Sequence, residues 1–574
     1  MTETRLGGLR TLTLAVLCAG KRTFAWRLPV GPEPDYPRPH LRREAWTSLD
    51  GEWEFGAGPE PIFNRRINVP FCPESRLSGI GQRVGDVVWY RRRFDPPAGE
   101  RVILHFGAVD YWARVWVNDV EVARHEGGHS PFSADITEAL RSRDNVIVVR
   151  AEDSLTDRTI PRGKQYWKEE PEGIFYTATT GIWQSVWLEP VPGRHIAELR
   201  LVPDIGHNVV HFKVDGIADE VVVRLDGEVV GRAGRGPSGK IHLDRVELWT
   251  PSAPRLYEVE ATEGRDRVYS QFGMRSITAW DGKLWLNGEP FVERLVLDQG
   301  YWPDGLLTAP DGHALREDIE LAKAMGFNGA RKHQKAEDPR WLYWADVLGF
   351  LVWAEMPAFY ELTPHAERRA VWEWWELVRR DRDHPSVVSW VVANESFGLD
   401  SVSAAVRARF TLSMSEMTRL LDGTRPVISN DGWEHSLSDV CTVHDYNPPA
   451  ELAQRYRALE PALDGTAAGH PVYDAGYRHR GEPVVVSEFG GLRVAGSGGW
   501  GWLEVPDQAA FVRSYGELIQ AFMQAGPVEG FCYTQLTDVQ QEQNGLLTAA
   551  REPKVDPRSL RPLTETPKKR QLHP

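Results

Sequence analysis

From Tyr36 to Pro190 apolar and polar residues alternate in short segments broken by turn residues, as in Val102–His105, Ala113–Val117, Val146–Val149 and Ser185–Leu188. Period-two alternation puts every second side chain on one face, so this stretch predicts a β-sandwich. A second strand-rich stretch runs from Ala197 to Arg275 and contains a hairpin from Val221 to Val230 turning at Asp226-Gly227. Its length suits one immunoglobulin-like sandwich. After Arg275 the pattern changes to apolar runs alternating with amphipathic segments long enough to be helices, which predicts a parallel sheet with crossovers. Eight strands are expected at Phe291–Leu297, Gly326–Arg331, Phe350–Glu355, Val387–Asn394, Pro426–Ser429, Val440–His444, Val484–Ser487 and Gly530–Thr534. Between them lie helical stretches such as His313–Met325, Pro339–Leu348, Ala366–Arg382, Ser401–Leu421 and Gln508–Ala525. Eight such units close a (β/α)8 barrel, a TIM barrel, whose chemistry sits at the C-terminal strand ends.

Composition narrows the function. With 574 residues the chain exceeds one hydrophobic core, and 41% hydrophobic with 26% charged residues is the balance of a globular protein. Apolar runs stay short of the roughly 20 residues of a membrane span, so no membrane partner is expected. A net charge of −14 argues against nucleic acid as a partner, since that binding needs clustered cations. A neutral ligand fits better. The 23 tryptophans are far more than ordinary use, and although most are expected to pack cores, indole faces also suit the apolar faces of sugar rings. Cys18, Cys72, Cys441 and Cys532 are scattered, without metal-ligand spacing, and are expected as free thiols. Leu12 to Ala19, behind Arg5 and Arg10, has a short signal-like centre interrupted by threonines. Residues 1–35 are therefore read as a disordered extension of a cytoplasmic protein, with secretion as the alternative.

Two carboxylates end buried apolar strands, where an ionised side chain is costly unless it has a task. Glu395 closes S-W-V-V-A-N-E-S on strand four, and Glu488 closes P-V-V-V-S-E-F-G-G on strand seven. One such glutamate is commonly a salt-bridge partner. Two, on strands lying across the barrel mouth, can flank a glycosidic bond: about 5–5.5 Å apart they permit nucleophilic attack, whereas about 6.5–9.5 Å leaves room for an inverting water.

These residues, with V-W-V-N-D from Val115, H-E-G-G-H-S-P-F from His125 and G-I-W-Q-S-V-W from Gly181, give the chain a resemblance to glycoside hydrolase family 2, the β-galactosidases, β-glucuronidases and β-mannosidases. The resemblance spans about residues 36 to 550. It implies a jelly-roll sugar-binding-like sandwich over 36–190, an immunoglobulin-like sandwich over 191–276, a catalytic TIM barrel over 277–556 and a tail over 557–574. It further implies an exo-acting retaining glycosidase with a covalent glycosyl-enzyme, Glu395 as acid/base and Glu488 as nucleophile. Asn394 matches the amide that holds the sugar 2-hydroxyl, Arg331 resembles the arginine on the nucleophile, His333 a substrate-contacting histidine, and Tyr446 a tyrosine donating to the nucleophile. His444 lies beside Tyr446 at the expected rim. Tyr533 stands where an aromatic platform is common. Asp298, with Tyr301 and Trp302, and Trp433 occupy loops where specificity forms, each with loop packing as the alternative reading.

The expected partner is a carbohydrate. The β-glucuronidases carry an Asn-x-Lys pair after strand eight, but here Asn544 is followed by Leu546 in Q-N-G-L-L-T. A β-galactoside is accordingly the leading expectation, with turnover of neutral glycosides ahead of uronides. A β-glucuronide, β-galacturonide or α-L-arabinoside is the alternative within the family, and a non-catalytic carbohydrate-binding protein the alternative outside it. No cofactor is required and no metal ligands are assigned; a structural divalent or sodium ion and a homo-oligomer are left open.

Overall fold

The computed structural model describes residues 36–569 apart from 467 and 525. The extension over 1–35 and its signal-like Leu12–Ala19 lie outside the described residues. In the first sandwich a sheet ordered Thr47–Ser48, Val186–Val191, Arg101–Phe106, Phe132–Asp135 faces a six-stranded sheet that runs from Arg65–Val69 at one edge to Val120–Glu126 at the other. Alternation builds the layer between them. Ala113, Val115 and Val117 of Trp112–Val117 are buried, as are Ile147, Val149 and Ala151 of Asn145–Glu152, all within one apolar cluster.

The second sandwich packs three strands (Leu199–Asp204, Val209–Ala218, Gly236–His242) over four (Glu228–Ala233, Glu220–Leu225, Tyr257–Glu263, Asp266–Phe272). The expected Asp-Gly hairpin is there. Leu225 pairs with Glu228, and the two intervening residues take φ of 54° and 81°, the left-handed pair that matches strand twist.

The barrel strands are Glu293–Asp298, Gly329–Lys332, Leu351–Glu355, Val387–Val391, Val427–Ile428, Cys441–His444, Val484–Gly490 and Val528–Thr534. They pair in parallel from strand five back to strand one, then through eight and seven to six. Strands five and six meet without ladder bonds; Asp439 N–H donates to the Val427 carbonyl at 2.9 Å and Gly432 N–H to Thr442 Oγ1 at 3.0 Å. Two boundaries differ instructively from the sequence pattern. Phe291 belongs to a small sheet, Ile277–Trp280, Lys283–Leu286 and Glu289–Phe291, whose Ile277, Leu284 and Leu286 join the apolar cluster of the barrel interior. Strand four stops at Val391 because the chain turns before Glu395, whereas strand seven runs on through Glu488 to Gly490.

Helices Gly312–Ala324, Pro339–Leu348, Pro364–Asp381, Ala404–Leu421 and Gln508–Met523 pack outside the barrel. Pro364–Asp381 is typical: Thr363 accepts the Ala366 N–H at its start, proline sits in the first turn, and Ala366, Ala370, Trp374 and Leu377 bury one stripe. Cys72, Cys441 and Cys532 are free and buried. Among the described residues no helix is long and apolar enough to cross a membrane.

Two features hold the domains together, one between the sandwiches and one between the first sandwich and the barrel. Arg43 donates through Nε and one terminal nitrogen to Asp266 at 3.0 and 2.9 Å, and through the other to Glu189 at 2.8 Å, linking both sandwiches from one buried guanidinium. The first sandwich also sends the segment 158–163 onto the barrel mouth, where Tyr360 N–H donates to the Arg158 carbonyl at 2.7 Å and Gly163 N–H to the Ala358 carbonyl at 3.0 Å. Removing Arg43 takes the guanidinium from the buried Asp266 and leaves Glu189 with Arg38 as its remaining arginine partner, and breaking a buried pair in this way costs about 3–5 kcal/mol. Arg43→Met is therefore expected to lower the urea midpoint by an amount corresponding to that range; an unchanged midpoint would show that the linkage is not holding the sandwiches together.

Candidate active site

Arg331 leaves strand two pointing into the barrel and is fully buried, so its charge must be matched internally. Nε donates to Glu355 Oε2 at 2.6 Å, one terminal nitrogen to Glu488 Oε1 at 2.9 Å and the other to Asn394 Oδ1 at 2.6 Å. Asp431 makes a third, close ion pair with the guanidinium. Burial alone depresses a guanidinium, but Asp431, Glu355 and Glu488 together hold Arg331 well above its ordinary value. The Asn394 amide nitrogen keeps no protein acceptor among the described residues, so it is available to a ligand.

Glu395 follows this cage in an uncommon backbone. It and Ser396 have φ of 50° and 54°, left-handed values for residues with side chains, each costing on the order of 1–2 kcal/mol. Neighbours fix the turn: Glu395 N–H donates to the Asp431 carbonyl at 2.9 Å, Asn430 Nδ2 to Ser396 Oγ at 2.9 Å, and Ser396 Oγ to Glu434.

His444 sits between the carboxylates. Its Nδ1 donates to Glu395 Oε1 at 2.7 Å and its Nε2 to Asp431 Oδ2 at 2.9 Å, with Glu488 Oε1 at 3.5 Å. Burial opposes protonation, yet Glu488, Asp431 and Glu395 outweigh it and push the imidazole up to about 10. One oxygen each of Glu395 and Glu488 and a nitrogen of His444 lie within 4.8 Å of one another. Such a triad has the spacing of a metal site, and both nitrogens of His444 are engaged with Glu395 and Asp431. His40, Asp346 and His384 form a second such cluster, with Asp346 and His384 preceding strands three and four at the opposite face.

On the other side of Glu488, Tyr446 donates to Oε2 at 2.6 Å and stacks on the half-exposed Trp502, ring centroids 4.1 Å apart. His333 lies with Nδ1 3.1 Å from Glu355 Oε1 and is held neutral, well below its ordinary value, by burial and by Arg331. Trp433 stacks on His470 at 4.6 Å and meets His444 edge-on at 5.6 Å, which puts it at the rim. Asn544 is deeper, accepting from Gln535 at 2.7 Å and donating to Glu542 at 3.1 Å.

Two expected positions need correction. Tyr533 points away from the mouth: it is fully buried between Phe489 and Tyr515, and its hydroxyl accepts the Leu492 N–H, because its neighbours Cys532 and Thr534 take the inward register. The aromatic face at the mouth is Trp502 instead. Asp298 is consumed by structure, its oxygens accepting from Lys332 Nζ at 2.7 Å and Gly300 N–H at 2.8 Å. Tyr301 likewise packs on Tyr176 at the sandwich contact, and Trp302 lies under the Arg551 guanidinium. Sequence reading missed Glu355, although it ends L-V-W-A-E as Glu395 ends its own run, and it missed Asp431 in the S-N-D-G turn. Trp502 carried no local signal.

Comparison with known proteins agrees with this architecture. Residues 280–561 match the model for the glycosyl hydrolases family 2 TIM barrel domain, and residues 64–178 that for the glycosyl hydrolase 2 galactose-binding domain-like module. The β-glucuronidase of Rattus norvegicus is 28% identical, covering 71% of this chain and 69% of its own. That of Paenibacillus borealis is 26% identical over 92% and 98%. The solved β-glucuronidase of Faecalibacterium prausnitzii superposes with a TM-score of 0.77 over 93% of this chain and 99% of its own, at 24% identity.

The raised His444 value fixes the sign of one pH effect. A group whose folded value exceeds its unfolded 6.5 contributes stability that is full below pH 6.5 and is lost as pH rises through about 10. The stability advantage of the parent over His444→Gln is expected to be greatest below pH 6.5 and to shrink steadily towards pH 10 in denaturant titrations; an advantage that grows over that interval contradicts a cationic His444.

Proposed function

The chain belongs to glycoside hydrolase family 2 and is a retaining O-glycosidase of that family, and from that premise we propose that it removes uronic acid residues from non-reducing ends with Glu488 as nucleophile and Glu395 as acid/base. The observation that carries the proposal is the approach of the two carboxylates to within 4.8 Å. That approach of one oxygen from each carboxylate supports the shorter spacing of a double displacement over the wider one of inversion.

In the first half-reaction Glu488 attacks the anomeric carbon while Glu395 gives its proton to the departing glycosidic oxygen. His444 donates to Glu395 Oε1, which leaves Oε2 to carry that proton. Arg331 and Tyr446 hold one oxygen of Glu488 each, fixing the carboxylate plane before attack. In the second half-reaction Glu395, now a carboxylate, takes a proton from water as the water oxygen replaces the Glu488 ester at the same carbon. Asn394 offers its free amide N–H to the sugar 2-hydroxyl.

For the sugar, similarity to proteins named β-glucuronidase supports the uronide over the β-galactoside that Leu546 suggested. The missing lysine does not oppose this, provided that a cation reaches the subsite from elsewhere.

The roles are tested with 2,4-dinitrophenyl glycosides and azide. Glu395→Ala is expected to lose about 10²- to 10⁴-fold on substrates with poor leaving groups, yet to be rescued by azide with a β-configured glycosyl azide. Glu488→Ala is expected to yield at most the α-configured product by direct displacement. Opposite stereochemistry would reverse the assignment, and parental rates in both variants would falsify it.

A further inference from the structure

The barrel mouth contains a lysine that does not come from the barrel. Lys164 belongs to the sandwich segment docked on the loops after strands two and three, held where Arg162 and Gly163 N–H groups both donate to the Ala358 carbonyl at 2.9 and 3.0 Å. Gly163 makes this approach possible: at φ +59° a Cβ there would stand 2.0 Å from the Gln334 carbonyl oxygen. Tyr360 closes the contact by donating to the Gly163 carbonyl at 2.6 Å.

The chain thus delivers Lys164 beside the catalytic turn. Its ammonium lies 5.6 Å from the Phe175 ring and 5.7 Å from that of Phe397, two residues beyond Glu395. Lys164 is only 5% exposed. Every other buried lysine of this region has a carboxylate: Lys332 pairs with Asp298 and Glu337, and Lys335 with Glu337. Lys164 has only the two aromatic rings, with no ion pair or side-chain hydrogen bond among the described residues. A largely buried lysine with no carboxylate bonded to it offers an anion arriving with a ligand a stronger attraction than an exposed lysine does.

The surroundings define where that anion would lie. Lys164 acts on two groups: burial raises the Glu542 carboxyl while Lys164 opposes the rise, and burial lowers His333 with Arg331 and Lys164 adding to the effect. Glu542 follows strand eight and is bonded to Asn544, whereas His333 follows strand two against Glu355. The charge therefore lies within electrostatic reach of the strand-eight loop and of the residues after strand two, beside Phe397 of the catalytic turn. Leu546, where a lysine would continue the Asn-x-Lys pattern, is fully buried in the apolar cluster outside the strands.

We propose that Lys164, contributed by the first sandwich, receives the carboxylate of a uronide in the subsite beside Glu395 and Glu488. This rests on the uronide reading above. It makes the sandwich a contributor to specificity, with Phe175 and Phe397 flanking the ammonium.

The test compares kcat/KM for 4-nitrophenyl β-D-glucuronide and β-D-galacturonide with the matching glucoside and galactoside, in the full-length parent, Lys164→Met and Lys164→Arg, with folding checked by circular dichroism. The parent is expected to prefer a uronide. Lys164→Met should reduce the uronide-to-neutral ratio about 10- to 100-fold, chiefly through KM, the scale of one hydrogen bond to a charged group. Lys164→Arg should keep most of the ratio, and inhibition by free D-glucuronate should weaken in the Met variant alone. A parent that prefers a neutral glycoside overturns the uronide reading and this assignment with it. A uronide-preferring parent whose ratio survives in a folded Lys164→Met, or falls equally in Lys164→Arg, overturns the Lys164 assignment alone.

Discussion

The buried guanidinium of Arg331 is the constraint on which the rest of the site depends. Its partners come from strand three (Glu355), the turn after strand four (Asn394), the turn after strand five (Asp431) and strand seven (Glu488). An unpaired charge in such a position is costly, so the folded barrel holds these groups converging on one point. His444 extends the network from strand six, and Tyr446 reaches Thr534 on strand eight at 3.1 Å. This network holds Glu488 directly and Glu395 through His444 and the neighbouring Asn394, and so positions the two carboxylates proposed for chemistry.

Strain is accommodated around that point. Two successive left-handed residues at Glu395 and Ser396 are unfavourable by themselves, yet the backbone pairing of Asp431 with Ala393 and Glu395 and the Asn430–Ser396–Glu434 chain over-determine the turn. An extended strand would carry Glu395 past the mouth. The turn instead brings it back beside His444, opposite Glu488.

The mouth is also a joint product of two domains. Tyr176 of the sandwich donates to Glu542 at 2.6 Å, Gln540 donates to Thr177 Oγ1 at 2.7 Å, and the Gly163 loop seals against Gln334 and Ala358. Because these contacts are hydrogen bonds between buried backbone and side-chain groups, displacement of the sandwich would leave polar groups of the barrel loops unsatisfied. Chemistry is carried by one domain, and the shape and charge of the entrance by both.

Periodicity in the sequence determined the sandwiches and the alternating strands and helices of the barrel, because burial imposes periods of two and 3.6 whatever the function, and the apolar runs of strands four and seven pointed to the glutamates at their C-terminal ends. Arg331, His333, His444 and Tyr446 were reached through the resemblance to glycoside hydrolase family 2, and each ends or follows a barrel strand. Glu355 and Asp431 were not singled out, since a carboxylate at a strand end or in a turn acquires meaning only when Arg331 arrives from another strand. Tyr533 was misplaced because register, not residue type, decides which side of a strand faces the mouth, and Asp298 because Lys332 captures it. Lys164 and Trp502 lie in irregular loops with no period to read. Only tertiary structure could bring them to the site, because loop approach is set by backbone contacts such as Gly163 against Gln334, which join residues far apart in sequence and leave no local pattern.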